Sequence, residues 1–409
     1  MKMWAGRFRG TLDPTFERWQ RSFAFDRRLL RYELTASSAH ARALRSVGIL
    51  TSEELIRILQ GLEEIATQAA ESTEFLEDTE AEDVHHFVEM RLAASIGDTG
   101  YKLHSGRSRN EQIATDLRLY VRATIDELRI GLADLCGMFA DRAESCGEAS
   151  MPAYTHLQKA EPVLIAHWLM AYVEMFLRDA ARLTDCRARM NCCPLGSGAV
   201  AGATLPLDRE SMAKGLGFDA ATANSIDATS DRDFTLEFVS ALSILAMHLS
   251  RWAEEMILFS TQEYGFIGLP EAYSTGSSAM PQKKNPDLLE LVRGKSGRII
   301  GCATSLLITM KGLPLAYNKD LQDTQEPLFE AADTVLHLLP LIAGWMKEVT
   351  FDFSRMQQAA QTGFTNAWAA ATYLTQRGVP SRLAHEHIGK AVRICLEKEC
   401  EIQDWSLAE

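Results

Sequence analysis

The sequence predicts an all-α protein, an elongated long-helix bundle forming the central domain with smaller helical N- and C-terminal domains. Three observations carry this reading. Helical periodicity runs for many turns without proline after Asn110, strand-like alternation is scarce, and one long segment is apolar on every face. A helix apolar all round must be enclosed by other helices, from its own chain or from others.

The elements follow in chain order. Thr51-Ser52-Glu53-Glu54 reads as a capping box, after which Leu55, Ile58, Leu59, Leu62 and Ile65 fall on one helical stripe. Residues 1–105 are therefore expected to form a domain of shorter helices joined by polar turns. The central domain, 106–355, opens with Ile113, Leu117, Val121, Ile125, Leu128, Leu132, Leu135 and Phe139 at helical spacing. A second long helix is expected from Pro162, a residue suited to a first helical position, to about Met190. The third, Asp231 to Tyr264, contains neither Gly nor Pro and spans on the order of 50 Å. Its middle, Ser240 to Met247, is the stretch apolar all round. A fourth runs from Pro286 to Lys311 and a fifth from about Pro327 onward. In the small C-terminal domain, 356–409, a helix from Asn366 to Gln376 stops at Gly378-Val379-Pro380, and Ser381 is placed to cap another.

Composition bounds the function. A chain of 409 residues can bury a large core, and its net charge of -13 argues against a nucleic-acid partner. The opening residues lack the apolar core of a signal peptide, and runs such as Ile299 to Met310 are short and interrupted by Ser and Thr. No membrane association is expected, and a soluble cytoplasmic protein is. Eight cysteines include the pair Cys192-Cys193 but no Cys-x-x-Cys, which fits reduced thiols.

Three polar, cation-rich segments each precede a long helix. Gly276-Ser277-Ser278-Ala279-Met280-Pro281-Gln282-Lys283-Lys284-Asn285-Pro286-Asp287 combines hydroxyls, ammonium groups and an amide, with Asn285 and Pro286 placed as N-cap and first helical residue. Such a segment suits an anion, because a helix N-terminus presents unpaired N–H groups and partial positive charge. Leu103 to Gln112, with Arg107 and Arg109, precedes the first long helix, and Ala153-Tyr154-Thr155-His156-Leu157-Gln158 the second. Taken singly, each also reads as a solvated turn. If successive helices alternate in direction, one chain cannot bring all three segments together. A shared site then needs several chains, and an oligomer with sites between subunits is expected.

Other clusters carry less. Asp83, His85 and His86 invite a metal reading, but adjacent histidines on a helix point apart, so no metal is expected. His385 and His387 are expected to face solvent or cap a turn.

Together, the segments resemble the fumarase/aspartase superfamily, and within it the argininosuccinate lyase family. The resemblance runs from Trp4-Ala5-Gly6-Arg7-Phe8 through nearly the whole chain. Its anchors are Gly106-Arg107-Ser108-Arg109-Asn110, Thr155-His156-Leu157-Gln158, Ser230-Asp231-Arg232-Asp233-Phe234, the Gly276 segment and Tyr317-Asn318-Lys319-Asp320-Leu321-Gln322. Fumarases and aspartases carry Gly-Lys-Val or Ala-Lys-Val after the Met-Pro, and adenylosuccinate lyases His-Lys-Arg. The Gln282-Lys283-Lys284-Asn285-Pro286-Asp287 form is similar to that of argininosuccinate lyases.

The resemblance implies reversible elimination of argininosuccinate to arginine and fumarate, without metal or organic cofactor, in a homotetramer whose sites are shared between chains. It implies Ser277 as the base, Lys283 with Asn285 on the aci-carboxylate, and His156 as general acid held by Glu290. Ser108, Asn110 and Thr155 would bind the succinate portion, with Arg109 also on substrate. Ser22, Asp26, Asp83, Tyr317 and Gln322 would surround the arginine portion. The glycine and serine content of the Gly276 segment suggests a loop that closes over substrate.

Departures from the family pattern are specific. Asp323-Thr324-Gln325-Glu326 stands where Glu-Asp-Lys-Glu is usual, so Gln325 replaces a lysine implied to hold the arginine portion. Trp4-Ala5-Gly6 stands for Trp-Gly-Gly. The chain ends soon after Asp404-Trp405-Ser406, which implies a reduced tail or a truncated sequence.

Overall fold

Helical periodicity in the sequence is realised as helix along most of the chain. The structure is a computed structural model that describes residues 10–77 and 80–405; the Trp4 to Phe8 anchor lies outside them. The main helices are α1 (Leu30–Ser46), α2 (Ser52–Glu71), α3 (Val84–Ile96), α4 (Arg109–Ser145), α5 (Ile165–Met190), α6 (Asp233–Ser260), α7 (Asp287–Met310), α8 (Gln325–Glu348), α9 (Ala367–Gln376) and α10 (Ser381–Lys398). The all-α expectation holds. Among the described residues the strands form only two-stranded ladders: β1 (Ser150–Thr155) with β2 (Gln158–Leu164), β3 (Cys192–Cys193) with β4 (Ala220–Ala221), β5 (Ile267–Gly268) with β8 (Thr350–Phe351), and β6 (Thr275–Gly276) with β7 (Lys284–Asn285).

Local signals behave as the sequence suggests in most places. The α2 capping box forms, with the Thr51 hydroxyl accepting the Glu54 N–H at 3.1 Å and the Glu54 carboxylate taking the Thr51 N–H at 2.9 Å. Every apolar position of the α4 stripe, from Ile113 to Phe139, is buried. Several boundaries differ, and the third long helix runs Asp233–Ser260, inside the expected Asp231 to Tyr264. Pro162 lies in β2 and α5 begins at Ile165, because a hairpin precedes the helix. Asn285 lies in β7, and the Pro286 carbonyl accepts the first α7 bond, from the Glu290 N–H at 3.1 Å. Ser381 is the first residue of α10 and not its cap, which is Pro380.

Two segments, Asp233–Ser260 and Lys319–Glu348, are long and apolar enough to cross a membrane by length and composition, contrary to the sequence reading. Of their apolar windows, 56% and 50% are buried inside the chain. The core helix of a soluble protein meets the same length and composition, so these features alone assign no membrane span.

The chain divides into two compact units, residues 1–127, 182–242 and 299–333 in the first and residues 128–181, 243–298 and 334–409 in the second. In the first unit α1, α2 and α3 enclose Leu29, Leu44, Ile58, Phe87 and Leu92, and Phe23 stacks on Phe87 with ring centroids 4.8 Å apart. Tyr120 meets Phe329 edge-on at 5.1 Å. The second unit is organised around aromatic rings: Phe139 lies against Tyr172, Phe176 and Trp252, and Trp252 meets Trp345 edge-on at 5.2 Å. Such ring pairs add to the area that they bury.

Candidate active site

The first unit holds a cavity of about 150 Å³ lined by Ser22, Asp26, Asp83, Arg109, Asn110, Tyr317 and Gln322, all named from the sequence, and by Glu82, His85, Ile113, Lys319 and Gln325. Its acidic wall is built on the N-terminus of α3. Asp83 is the N-cap, its Oδ1 accepting the His86 N–H at 2.7 Å, and Asp26 Oδ1 accepts the Val84 N–H at 3.0 Å. Two unpaired N–H groups of the helix are thus satisfied by the two carboxylates that face the cavity. Ser22 donates its hydroxyl to Asp26 at 2.6 Å.

These carboxylates differ electrostatically. Burial pushes the Asp26 carboxyl up to about 7, aided by the neighbouring Asp83 and opposed by Ser22. Burial also works against charge on Asp83, but His85 and Arg109 outweigh it and hold that carboxyl well below its usual range. Arg109 Nη1 lies 3.0 Å from Asp83 and 3.4 Å from Glu82. The Arg107 to Asn110 segment is fixed by a second capping arrangement, in which Asn110 N–H donates to the Ser108 hydroxyl at 3.3 Å and Ser108 N–H to Glu111 at 3.0 Å. Gly106, at φ 67°, supplies the left-handed turn before it.

Behind the cavity lies a polar cluster that sequence reasoning missed. His85 Nε2 stands 3.0 Å from Asp116 Oδ2 and 3.7 Å from Glu33 Oε2, with all three residues buried. Ligand atoms of the three lie within 4.8 Å of one another, a spacing a metal could use. Arg107, 3.7 Å from Glu33, already supplies positive charge there, so the donor set suits a proton-sharing network better. Burial and Glu33 push the Asp116 carboxyl up to about 8. A signal existed in the sequence: Asp116 interrupts α4 next to the core position Leu117.

The remaining candidates lie in the second unit. Thr155 pairs with Gln158 across the β1–β2 hairpin, so His156 and Leu157 form a two-residue turn with φ of 55° and 58°. Both turn positions need the left-handed region, which Asn-Gly fills most readily and which costs other residues about 1–2 kcal/mol each. His156 is exposed at this tip, and among the described residues neither its side chain nor that of the exposed Glu290 makes a hydrogen bond or ion pair within the chain. The expected His156–Glu290 contact is therefore not formed inside one chain.

The Gly276 segment is a small loop closed by the β6–β7 ladder, with Thr275 opposite Asn285 and Gly276 opposite Lys284. Asp287 Oδ2 accepts both the Thr275 N–H at 3.0 Å and its hydroxyl at 2.7 Å, and Asn285 Nδ2 donates to the Thr275 hydroxyl at 3.3 Å. Inside the loop the Ser277 hydroxyl oxygen accepts the Met280 N–H at 3.0 Å and the Ala279 N–H at 3.3 Å. Two such donors favour the deprotonated form of a hydroxyl. Lys283 is exposed in the same loop, while Lys284 is turned to the Leu269 carbonyl at 3.2 Å.

Comparison with known proteins places the chain in a family. The family described as Lyase matches residues 6–301, and the one described as Argininosuccinate lyase C-terminal matches residues 364–409. An argininosuccinate lyase of Koribacter versatilis (strain Ellin345) is 60% identical over 406 residues, covering 99% of this chain and 87% of that protein. One from Acidobacterium capsulatum is 56% identical, covering 100% and 85%. A crystal structure of EDDS lyase in complex with formate superposes with a TM-score of 0.83 at 28% identity, covering 96% of this chain and 78% of that one. On this full-length similarity, the chain belongs to the argininosuccinate lyase family.

Proposed function

We propose that this chain catalyses the reversible β-elimination of argininosuccinate to arginine and fumarate, as a cytoplasmic homotetramer. The observation that carries the activity is the 60% identity to a protein of that name over 99% of the chain. The Ser277 alkoxide takes the proton from the carbon next to the carboxylate. The resulting charge spreads onto that carboxylate as an aci-carboxylate, with Lys283 and Asn285 as its partners. Its electron pair then forms the carbon–carbon double bond of fumarate as the C–N bond breaks, and His156, positioned by Glu290, protonates the departing guanidine nitrogen. The Ser277 geometry supports the first step, because two backbone N–H groups already converge on its oxygen.

The cavity on α3 suits the arginine portion. Asp26 and Asp83 offer carboxylates to a guanidinium or α-ammonium group, and Tyr317, Gln322 and Gln325 offer neutral hydrogen-bonding groups. Ser108, Asn110 and Thr155 are assigned to the succinate portion. No metal or organic cofactor is called for by this chemistry.

Two features support an assembly with shared sites. The side chains of His156 and Glu290 lack partners within the chain among the described residues. On α7, Leu291, Ile300, Leu307 and Ile308 expose between 46% and 57% of their surface, which a partner helix would cover. Sedimentation or mass photometry of the purified protein tests the tetramer, and a monomer with full activity would remove the shared-site reading. Elimination from another N-substituted succinate is a second reading, favoured by the uncharged, buried Gln325 in the cavity wall. Turnover of argininosuccinate against adenylosuccinate and aspartate separates the two.

A further inference from the structure

His85 stands where the cavity meets the buried cluster, and its two ring nitrogens face different acidic groups. On the inner side Nε2 is 3.0 Å from Asp116 and 3.7 Å from Glu33. On the cavity side Nδ1 is 3.8 Å from Asp83 Oδ1. The inner side is anchored: Glu33 accepts the Ser37 hydroxyl at 2.5 Å and the Gln112 amide at 3.1 Å, and Arg107 Nη2 lies 3.7 Å from it. Glu33 and Asp116 are fully buried and His85 is 6% exposed, so none of the three can turn to water instead.

The outer side needs that anchor. Asp83 is held by the His86 N–H and by Arg109, and Arg109 also pairs with Glu82. Asp26, a second carboxylate at the same helix terminus, is itself disfavoured as an anion by Asp83. The His85 ring sits opposite, joining Asp83 to Asp116 and to Glu33, which Arg107 also approaches.

We propose that His85 is a positioning residue, which clamps Asp83 from behind through Asp116 and Glu33 so that the carboxylate is fixed for the cationic end of the substrate. This rests on the proposed function for the identity of the substrate. It assigns His85 no contact with the reacting atoms, so its loss acts on binding of the arginine portion and leaves the chemical step largely intact.

The test uses full-length His85→Gln and Asp116→Asn proteins, with His248→Gln as a structural control. His248 forms a comparably buried pair with Asp179, at 2.7 Å, in the second unit. Steady-state kinetics give KM and kcat for argininosuccinate, calorimetry gives the Kd for free arginine, and a thermal scan gives Tm. In both first-unit variants KM and the arginine Kd are expected to rise roughly tenfold, as for loss of one charge-assisted partner, with kcat within about threefold. His248→Gln is expected to lower Tm without moving the arginine Kd. An arginine Kd within about twofold of wild type in His85→Gln overturns the proposal, as does an equal rise in His248→Gln. Should His85→Gln fail to fold, an unchanged Kd in Asp116→Asn overturns it. Wild-type protein that binds arginine but releases no fumarate would sink the proposed function and leave this clamp standing.

Discussion

The Ser277 hydroxyl oxygen accepts the Met280 backbone N–H at 3.0 Å, three residues ahead in the same loop. With the Ala279 N–H as a second donor, a side chain that is a weak base in water is placed where its alkoxide is favoured before substrate arrives. Removing it should abolish proton abstraction and little else, because the residue lies in a loop and outside either core. Ser277→Ala is expected to lower kcat by about 10²–10⁴, with Tm nearly unchanged. Circular dichroism melting alongside the kinetic assay checks both halves.

The loop carrying Ser277 is held shut by Asp287, which takes two hydrogen bonds from Thr275. Asp287→Ala removes both while leaving Ser277, Lys283 and Asn285 in place. A drop in kcat of roughly tenfold is expected, the scale of a modest misplacement of catalytic groups. Thr275→Val, which keeps the backbone bond, should cost less, and the ordering of the two variants is the check.

Leu157 occupies a left-handed turn position at φ 58° and is 67% exposed. Glycine adopts that conformation without steric cost, so Leu157→Gly is expected to stabilise the hairpin by about 1 kcal/mol and to retain activity. A chemical-denaturation midpoint compared with wild type reads the change. His156 shares the same turn, and its glycine variant should show similar stability with lost activity.

Asp26 sets a pH dependence whose sign follows from its raised pKa. Its folded-state pKa is about 7, against about 3.9 in an unfolded chain, so between those values the folded chain binds the extra proton. The stability this contributes is fully present below about pH 4 and is lost as pH rises through about 7. Asp116, pushed up to about 8, acts in the same direction. Asp26→Asn should therefore lose less stability than wild type between about pH 5 and about pH 8, while weakening arginine binding. Denaturant midpoints at the two pH values test the slope.

Phe139 is fully buried and touches Tyr172, Phe176 and Trp252. Phe139→Ala should destabilise the protein by about 3–5 kcal/mol through the cavity that it leaves. Urea unfolding followed by tryptophan fluorescence reads the loss.

The long helices were legible because their periodicity persists over many turns: each position from Ile113 to Phe139 in the α4 stripe is in the core. The β1–β2 hairpin was not. Pro152 and Pro162 stand opposite each other within it, and its turn is His-Leu where Asn-Gly would have signalled it. In the first unit the residues implied by resemblance, from Ser22 to Gln322 but without Ser108, line one cavity. His85 was dismissed with the metal reading, since spacing along one helix cannot reveal that Asp116 and Glu33 arrive from two others. The Thr155, His156 and Glu290 assignments rest on the resemblance, because no periodicity in the sequence places these residues together.

The most direct test follows the ultraviolet absorbance of fumarate after argininosuccinate is added to the purified wild-type protein, with Ser277→Ala in parallel. A steady rise for wild type and none above background for the variant is the expected result. No fumarate from a wild-type tetramer would contradict the proposed activity, and equal rates from both proteins would contradict Ser277 as the base.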